Sequence, residues 1–145
     1  MIHLLDVNVL IGLADPSHVH SEHALRFFEN TAVRDGWACC PLTENGFLRI
    51  FGNPKYPNGP GSTEEARRLL RSFQAAPGYR FWAADLSLAD LRLIPSLPPA
   101  PQLSYCYLLA LAVAKGGCFA TFDRNIDASL VKGGKDALIV LGSEN

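Results

Sequence analysis

The sequence predicts an α/β sandwich built around a mostly parallel sheet. Three observations support this prediction: short apolar segments alternate with helical patterns, no repeat or domain linker is visible, and the composition is that of a globular protein. The chain has 145 residues, of which 48% are hydrophobic and 19% are charged. This length suffices for one domain with its own core, and we expect that domain to span residues 1–145.

The chain begins with one predicted strand and two predicted helices. An apolar segment at residues 2–6 predicts a strand, and a short helix follows at 8–13. This helix stops before a proline, because the residue that precedes a proline avoids the helical conformation. A second helix is expected from Ser17 or Ser21 to about Val33, since its apolar residues recur at helical spacing.

A turn then leads into a second strand and a third helix. Asp35-Gly36 makes the turn, and the apolar residues 37–40 predict a buried strand. A helix begins within residues 41–44, with Thr43 as its N-cap, and runs through Phe51. We expect this helix to place its first turn at the end of the preceding strand.

Loops punctuate the second half of the chain. Residues 52–61 contain three prolines and three glycines and predict a loop. A helix then starts at Ser62 and extends to about residue 73 or 75, and a strand is expected at 80–82. Residues 95–101 form a second loop because they are rich in proline.

The last part of the chain predicts a helix and two strands. A strongly apolar helix runs from Gln102 or Ser104 to about Lys115, and the two glycines that follow end it. Strands are expected at residues 118–122 and 137–141. Strands and helices therefore alternate from one end of the chain to the other.

Composition limits the classes of function. The net charge is −1, so any nucleic-acid binding must come from local basic patches. No apolar run reaches the ~20 residues that span a bilayer, and no signal-like segment is visible, so we expect a cytoplasmic protein without a membrane anchor. The four cysteines contain no CxxC pair, which favours free buried thiols over a disulfide or a zinc site.

Acidic residues follow three of the predicted strands. Asp6 ends the first strand, Asp123 follows the strand at 118–122, and Glu44 lies in the first turn of the helix after the second strand. The carboxyl ends of parallel strands share one edge of a sheet, where ligands collect. Each acid also has a structural interpretation: Asp6 as a helix cap, Glu44 as a partner of the helix dipole, and Asp123 as a partner of Arg124. Three clustered carboxylates favour a bound cation, and hard oxygen ligands select Mg²⁺ or Mn²⁺.

Four segments of the chain also resemble the successive signatures of a known family. They look like those of PIN domains and, more narrowly, of VapC-type toxins from bacterial toxin–antitoxin pairs. The resemblance runs from about residue 2 to 141, and its motifs are weak singly but specific as an ordered set. The segments are Asp6-Val7-Asn8-Val9-Leu10-Ile11, residues 41–49, residues 107–112 and Thr121-Phe122-Asp123-Arg124.

This resemblance implies a fold and an activity. The family folds as an α/β/α sandwich and cleaves RNA as a metal-dependent endonuclease, a hydrolase of phosphodiester bonds. By resemblance, Asp6, Glu44 and Asp123 hold Mg²⁺ or Mn²⁺ here, and Asn8 and Thr121 support these acids or a bound water through hydrogen bonds. The resemblance further implies a homodimer and a small antitoxin protein that covers the site.

One position departs from the family pattern. Where the family has Thr-Asp-x-Tyr, this chain has Ser104-Tyr105-Cys106-Tyr107, so Tyr105 stands at the position of an expected acid. A phenol with a pKa near 10 is a poor ligand for Mg²⁺. Three interpretations remain open: the site works with three acids and water, the site is weakened or inactive, or Asp127 replaces the missing acid. An inactive module that binds RNA or antitoxin is therefore the alternative function, and a nuclease acting on DNA is a further one.

Basic residues flank the expected site. Arg49, Lys55 and Arg124 are candidates for contacts with RNA phosphates, because each lies close in sequence to one of the acidic segments. An H-x-H-x-x-H pattern at residues 18–23 is compatible with zinc, but its setting at a helix entrance and the absence of a fourth ligand favour a polar helix start. Contact of these imidazoles with phosphate is the weaker alternative.

Overall fold

The computed structural model describes residues 1–142, and residues 143–145 of the expected domain lie outside the described part. Its centre is a five-stranded sheet with the strand order β3-β2-β1-β4-β5, in which every neighbouring pair is parallel. The prediction of an α/β fold with a mostly parallel sheet is confirmed. The strands are β1 (His3–Leu5), β2 (Trp37–Cys39), β3 (Tyr79–Phe81), β4 (Cys118–Thr121) and β5 (Leu138–Val140).

Within residues 1–142, seven α-helical segments connect or flank these strands. They are α1 (Val7–Ala14), α2 (Ser21–Phe27), α3 (Val33–Asp35), α4 (Pro41–Phe51), α5 (Thr63–Gln74), α6 (Leu103–Ala114) and α7 (Gly134–Ala137). A π-helical turn, Phe28–Ala32, joins α2 to α3, and 3₁₀ turns cover Ala100–Gln102 and Ala128–Leu130. None of the helices in residues 1–142 combines the length and the apolar composition needed to cross a membrane.

The start of α4 differs from the prediction. The helix begins at Pro41 with Cys40 at its N-cap, and Thr43 is the third helical residue rather than the cap. The Thr43 hydroxyl accepts a hydrogen bond from the Cys40 amide at 3.0 Å and donates one to the Cys40 carbonyl at 3.1 Å. The threonine still stabilises the helix start, but from inside the first turn.

The sheet buries an apolar layer on each face. Because side chains alternate along a strand, Leu4 packs against the buried helix α6 on one face, whereas Leu5 packs with Val9 and Phe47 on the other. Trp37 and Phe119 are also fully buried, on opposite faces. Helices therefore cover both faces, which makes the architecture a three-layer sandwich.

The order of the strands determines where a site can form. The chain builds β2 and β3 on one side of β1, then returns to add β4 and β5 on the other side. The direction of strand addition therefore reverses between β1 and β4. In parallel α/β sheets, ligands bind at the carboxyl edge beside such a reversal.

Candidate active site

Asp6 lies at this reversal, directly after β1, and is only 2% exposed. Its Oδ2 accepts a hydrogen bond from the Thr121 hydroxyl at 2.6 Å, and its Oδ1 accepts one from the Val7 amide at 2.7 Å. The pKa of this carboxyl is raised to about 6, chiefly by burial and to a smaller extent by the charge of Asp123, although both hydrogen bonds act in the opposite direction. Asp6 is thus both the N-cap of α1 and a buried acid with a high pKa.

Thr121 connects the two strand ends through its hydroxyl. Besides donating to Asp6, its Oγ1 accepts a hydrogen bond from the Asp123 amide at 3.0 Å and one from the Asn8 side chain at 3.3 Å. The side-chain oxygen Oδ1 of Asn8 in turn accepts a hydrogen bond from the Phe122 amide at 3.2 Å. The structure therefore brings Asn8 and Thr121, both singled out in the sequence, to the same junction between β1 and β4.

Asp123 is the second acid of this junction. It is the second residue after β4 and is half-buried. Its Oδ1 accepts a hydrogen bond from the Asn125 amide at 2.8 Å. Its charge acts on Asp6, so the structure brings these two carboxylates together at one edge of the sheet. We refer to Asp6 and Asp123 as the acid pair.

The structure does not group Glu44 with the acid pair, so a metal site of three acids stays a prediction. The Glu44 carboxylate accepts a hydrogen bond from the Gln74 side chain on α5 at 3.0 Å, and its charge raises the pKa values of Cys39 and Tyr79. Within residues 1–142, no three His, Cys, Asp or Glu side chains are grouped so that they could hold a metal ion.

The early start of α4 explains the position of Glu44. Helical residues three or four apart share a face, and Asn45 and Arg49 line the same cleft as Asp6, together with Gly46. Glu44 lies on another face of α4, which contacts α5. The sequence analysis missed Asn45, although its spacing of four residues from Arg49 is a signal that could have identified it.

A cleft of about 550 Å³ opens between α1, α4 and α6, with Asp6 of the acid pair in its lining. Gly46 allows α4 to approach α1 closely, because a Cβ at this position would lie 2.6 Å from a methyl group of Val7. The cleft is lined by Asp6, Val7, Asn8, Ile11, Pro41, Leu42, Asn45, Gly46, Arg49, Ile50, Pro101, Ser104, Tyr105 and Leu108. Arg49 is the basic residue of this lining.

Tyr105 enters the same cleft from α6. Its side chain is half-buried, and burial together with the charges of Asp6 and Asp123 raises the pKa of the phenol above its usual value. The hydroxyl is therefore protonated at neutral pH. The side chain that replaces the expected acid thus lies within electrostatic reach of both members of the acid pair.

Asp127 does not take the place of that acid in the cleft. It is exposed and accepts hydrogen bonds from the Ser129 amide at 3.0 Å and the Ser129 hydroxyl at 2.5 Å, which caps the turn Ala128–Leu130. Lys55 is exposed in the loop after α4 and is not part of the cleft lining. Arg124 is also exposed, and its guanidinium donates to the Gly142 carbonyl at 2.5 Å.

The acid pair fits a divalent cation. Burial and mutual repulsion both oppose ionisation of Asp6, and a bound cation would offset both effects. Mg²⁺ is commonly held by one or two carboxylates, with waters and substrate phosphates completing its coordination. The two neighbouring carboxylates, one of which lines an open cleft, match that donor set, whereas the phenol of Tyr105 adds no anionic oxygen.

Comparisons with known proteins place this geometry in context. No protein-family model matches the chain. Ribonuclease VapC44 of Mycobacterium tuberculosis is 41% identical over 132 residues, which cover 90% of this chain and 92% of that protein. Ribonuclease VapC38 of the same organism is 41% identical over 123 residues, which cover 85% of this chain and 86% of that protein.

A solved structure also matches the fold. The complex VapBC2 from Rickettsia felis, bound to a DNA fragment from its promoter, contains a chain that superposes with a TM-score of 0.58. The superposition covers 97% of this chain and 99% of that chain, at 12% sequence identity. At this level of identity, the match shows a shared fold.

Proposed function

This chain belongs to the VapC ribonuclease family, and on that premise we propose that it is a metal-dependent endoribonuclease toxin that hydrolyses RNA phosphodiester bonds at the acid pair. The observation that carries the proposal is the acid pair, of which the buried Asp6 lines an open cleft where Arg49 supplies a positive charge. A fold that buries an acid without a cationic partner retains it for a reason other than stability.

The residues of the site have separate roles in this proposal. Asp6 and Asp123 would hold Mg²⁺ or Mn²⁺, which, when bound, supplies a water of lowered pKa and offsets charge on the reacting phosphate. Thr121 fixes the orientation of Asp6 through the hydrogen bond at 2.6 Å. Asn8 fixes the backbone that leads into Asp123 by accepting from the Phe122 amide.

Arg49 would bind a phosphate of the RNA strand in the cleft. It is exposed, lies on the cleft face of α4, and has no carboxylate partner among the ion pairs of residues 1–142. A phosphate-binding role for Lys55 is weaker, because the loop that carries it does not line the cleft. Arg124 lies beyond Asp123, on the opposite side of the acid pair from α4.

A toxin of this family requires a partner that restrains it. We propose that a small antitoxin protein neutralises the chain by covering the cleft, and that the chain forms a homodimer. The fold shared with a chain of a VapBC complex supports the first proposal, and the family resemblance supports the second. Such a protein would act in the cytoplasm, where its RNA substrates are found.

Tyr105 favours one alternative function. A neutral phenol stands near the acid pair where the family has a carboxylate, so position 105 would supply no anionic ligand to a metal ion. If this weakens metal binding below what catalysis needs, the chain is an inactive member that binds RNA or antitoxin without cleaving RNA. The two functions differ in whether the chain cleaves RNA, which can be measured directly.

Cleavage of single-stranded RNA in the presence of Mn²⁺ tests both functions, with EDTA as the control. The proposal predicts cleavage by the unaltered chain and its loss in Asp6→Asn. Cleavage by Tyr105→Asp alone would identify the chain as a disabled enzyme. Binding of RNA without cleavage by either protein would establish the inactive module.

A further inference from the structure

A cluster of histidines lies next to Phe122, outside the lining of the cleft. The loop between α1 and α2 places the His20 ring flat on the Phe122 ring, with 4.2 Å between centroids and 4° between planes. Phe122 is buried and directly precedes Asp123, and its amide is held by Asn8. The His20 imidazole is therefore fixed beside the acid pair by packing.

The loop that carries the histidines is anchored at several points. Asp15 is buried, and its carboxylate accepts hydrogen bonds from the Ser17 amide at 2.9 Å and from the Tyr56 hydroxyl at 2.6 Å. His18 accepts a hydrogen bond from the His20 amide at 3.1 Å through Nδ1. Because Nδ1 is the acceptor, Nε2 of His18 carries the ring proton and is available as a donor.

Several basic side chains surround His20. Burial lowers the pKa of His20, and the nearby His18, His23 and Arg124 side chains act in the same direction. Arg124 follows Asp123 directly and donates to the carbonyl of Gly142 just beyond β5. Since no three potential ligands within residues 1–142 form a group that could hold a metal ion, the histidine pattern is not explained by zinc. Ring N–H groups and a guanidinium are donors suited to phosphate oxygens.

We propose that His18, His20 and Arg124 form a second phosphate-binding subsite for single-stranded RNA, which we call the histidine platform. The inference rests on the proposed function and extends it, because it assigns a path to the substrate. Along the carboxyl edge, α4 with Arg49 follows β2, the acid pair follows β1 and β4, and the platform lies towards β5. An RNA strand that contacts Arg49 and the platform must cross the acid pair, which positions a phosphodiester bond there.

Binding of RNA oligonucleotides of two lengths tests the platform. The reference protein is the full chain carrying Asp6→Asn, so that bound RNA is not cleaved. Fluorescence anisotropy then compares labelled single-stranded RNAs of about 4 and about 12 nucleotides, which bracket a short and an extended contact. The variants are His20→Phe, which keeps a ring on Phe122 but removes the ring N–H donors, and Arg124→Gln.

The platform predicts a loss that depends on RNA length. Each variant weakens binding of the longer RNA about threefold to tenfold, as expected for one lost hydrogen-bonding partner, and leaves the shorter RNA unaffected. Arg124→Gln also lowers the slope of log affinity against log salt concentration by about 0.7, the value for one phosphate contact on a single strand. Arg34→Gln is the matched control, because Arg34 is exposed at the opposite edge of the sheet and should change neither value.

Three results would overturn the platform. If both variants bind the longer RNA with unchanged affinity, the subsite does not exist. The proposed function still stands in that case if Arg49→Gln weakens RNA binding. An equal loss for both RNA lengths means that these residues act through the acid pair instead of a separate subsite. Failure of the reference protein to bind either RNA overturns the platform together with the proposed function.

Discussion

Strand β1 carries a buried ionisable side chain at each of its ends, His3 at the amino end and Asp6 just past the carboxyl end. His3 is 5% exposed, its Nε2 lies 3.4 Å from an Asp35 oxygen, and its ring packs edge-on against Phe27. Its Nδ1 has no hydrogen-bonding partner within residues 1–142. By contrast, both carboxylate oxygens of Asp6 accept hydrogen bonds from neighbouring residues.

Burial acts on both groups but has different consequences at neutral pH. It lowers the pKa of His3 below 6.5, so the imidazole is neutral at pH 7 and suits its apolar surroundings. It raises the pKa of Asp6 from 3.8 to about 6, so the carboxylate is still ionised at pH 7. That shift corresponds to about 3 kcal/mol of destabilisation. The side chain at the amino end of β1 is thus neutral at pH 7, whereas the carboxyl end retains a charge that its two hydrogen bonds only partly stabilise.

The largest expected effect comes from removing the charge of Asp6. Asp6→Asn should reduce RNA cleavage at least about 100-fold, because a metal-binding carboxylate is lost. The same change should increase the free energy of unfolding of the metal-free protein at pH 7.5 by up to about 3 kcal/mol, less the weakened bond to Thr121. Urea unfolding measures this gain, and Asp136→Asn on the exposed side of α7 is the control.

The gain in stability of Asp6→Asn over the unaltered chain should increase with pH. Because the pKa of Asp6 is raised in the folded protein, the unaltered chain loses stability as the pH rises from about 4 to about 6. The advantage of Asp6→Asn is therefore complete above pH 6 and disappears near pH 4. An advantage that is equal at both pH values would contradict a buried charge at Asp6.

Restoring the expected acid should have the next largest effect. Tyr105→Asp should raise Mn²⁺-dependent RNA cleavage by about 10-fold to 100-fold, the range for changes around a metal site. It should also lower the unfolding midpoint in EDTA, because a third carboxylate repels Asp6 and Asp123. Tyr105→Phe separates the two causes, since it removes the hydroxyl without adding a charge and should leave cleavage unchanged.

A smaller effect is expected at the amino end of β1. The unaltered chain should lose stability as the pH falls below 6.5, because unfolding lets His3 bind a proton that the folded protein disfavours. His3→Leu should remove this pH dependence and change the free energy of unfolding at pH 7.5 by no more than about 1.5 kcal/mol. Urea unfolding of both proteins at pH 5.5 and pH 7.5 tests this prediction. If His3→Leu still loses stability at pH 5.5, another group is responsible for the pH dependence.

Much of the fold was predictable because it depends on local patterns. The alternation of apolar segments with helical spacing predicted all five strands to within about two residues, as well as the apolar helix α6. The short helix α7 and the π-helical turn after α2 were not predicted, because neither spans enough residues to show a period. The strand edge that carries Asp6 and Asp123 followed from the parallel sheet alone.

The candidate site was less predictable, since it depends on rotation about a helix axis. The position of Glu44 required the starting residue of α4, and an error of two or three residues in a helix start turns a side chain to another face. No sequence pattern singles out Gln74, yet its side chain donates the hydrogen bond that orients the Glu44 carboxylate. The contact between His20 and Phe122 joins residues far apart in the chain and has no local signal.

The Thr121 hydroxyl joins groups that are synthesised at very different times. It contacts Asp6, which lies 115 positions earlier, and this contact requires β4 to pair with β1. A growing chain on the ribosome carries Asp6 from its first residues but lacks both Thr121 and Asp123 until most of the domain has been made. Premature termination products that end before β4 therefore have no acid pair. This order of synthesis delays assembly of the acid pair until β4 has been made and can pair with β1.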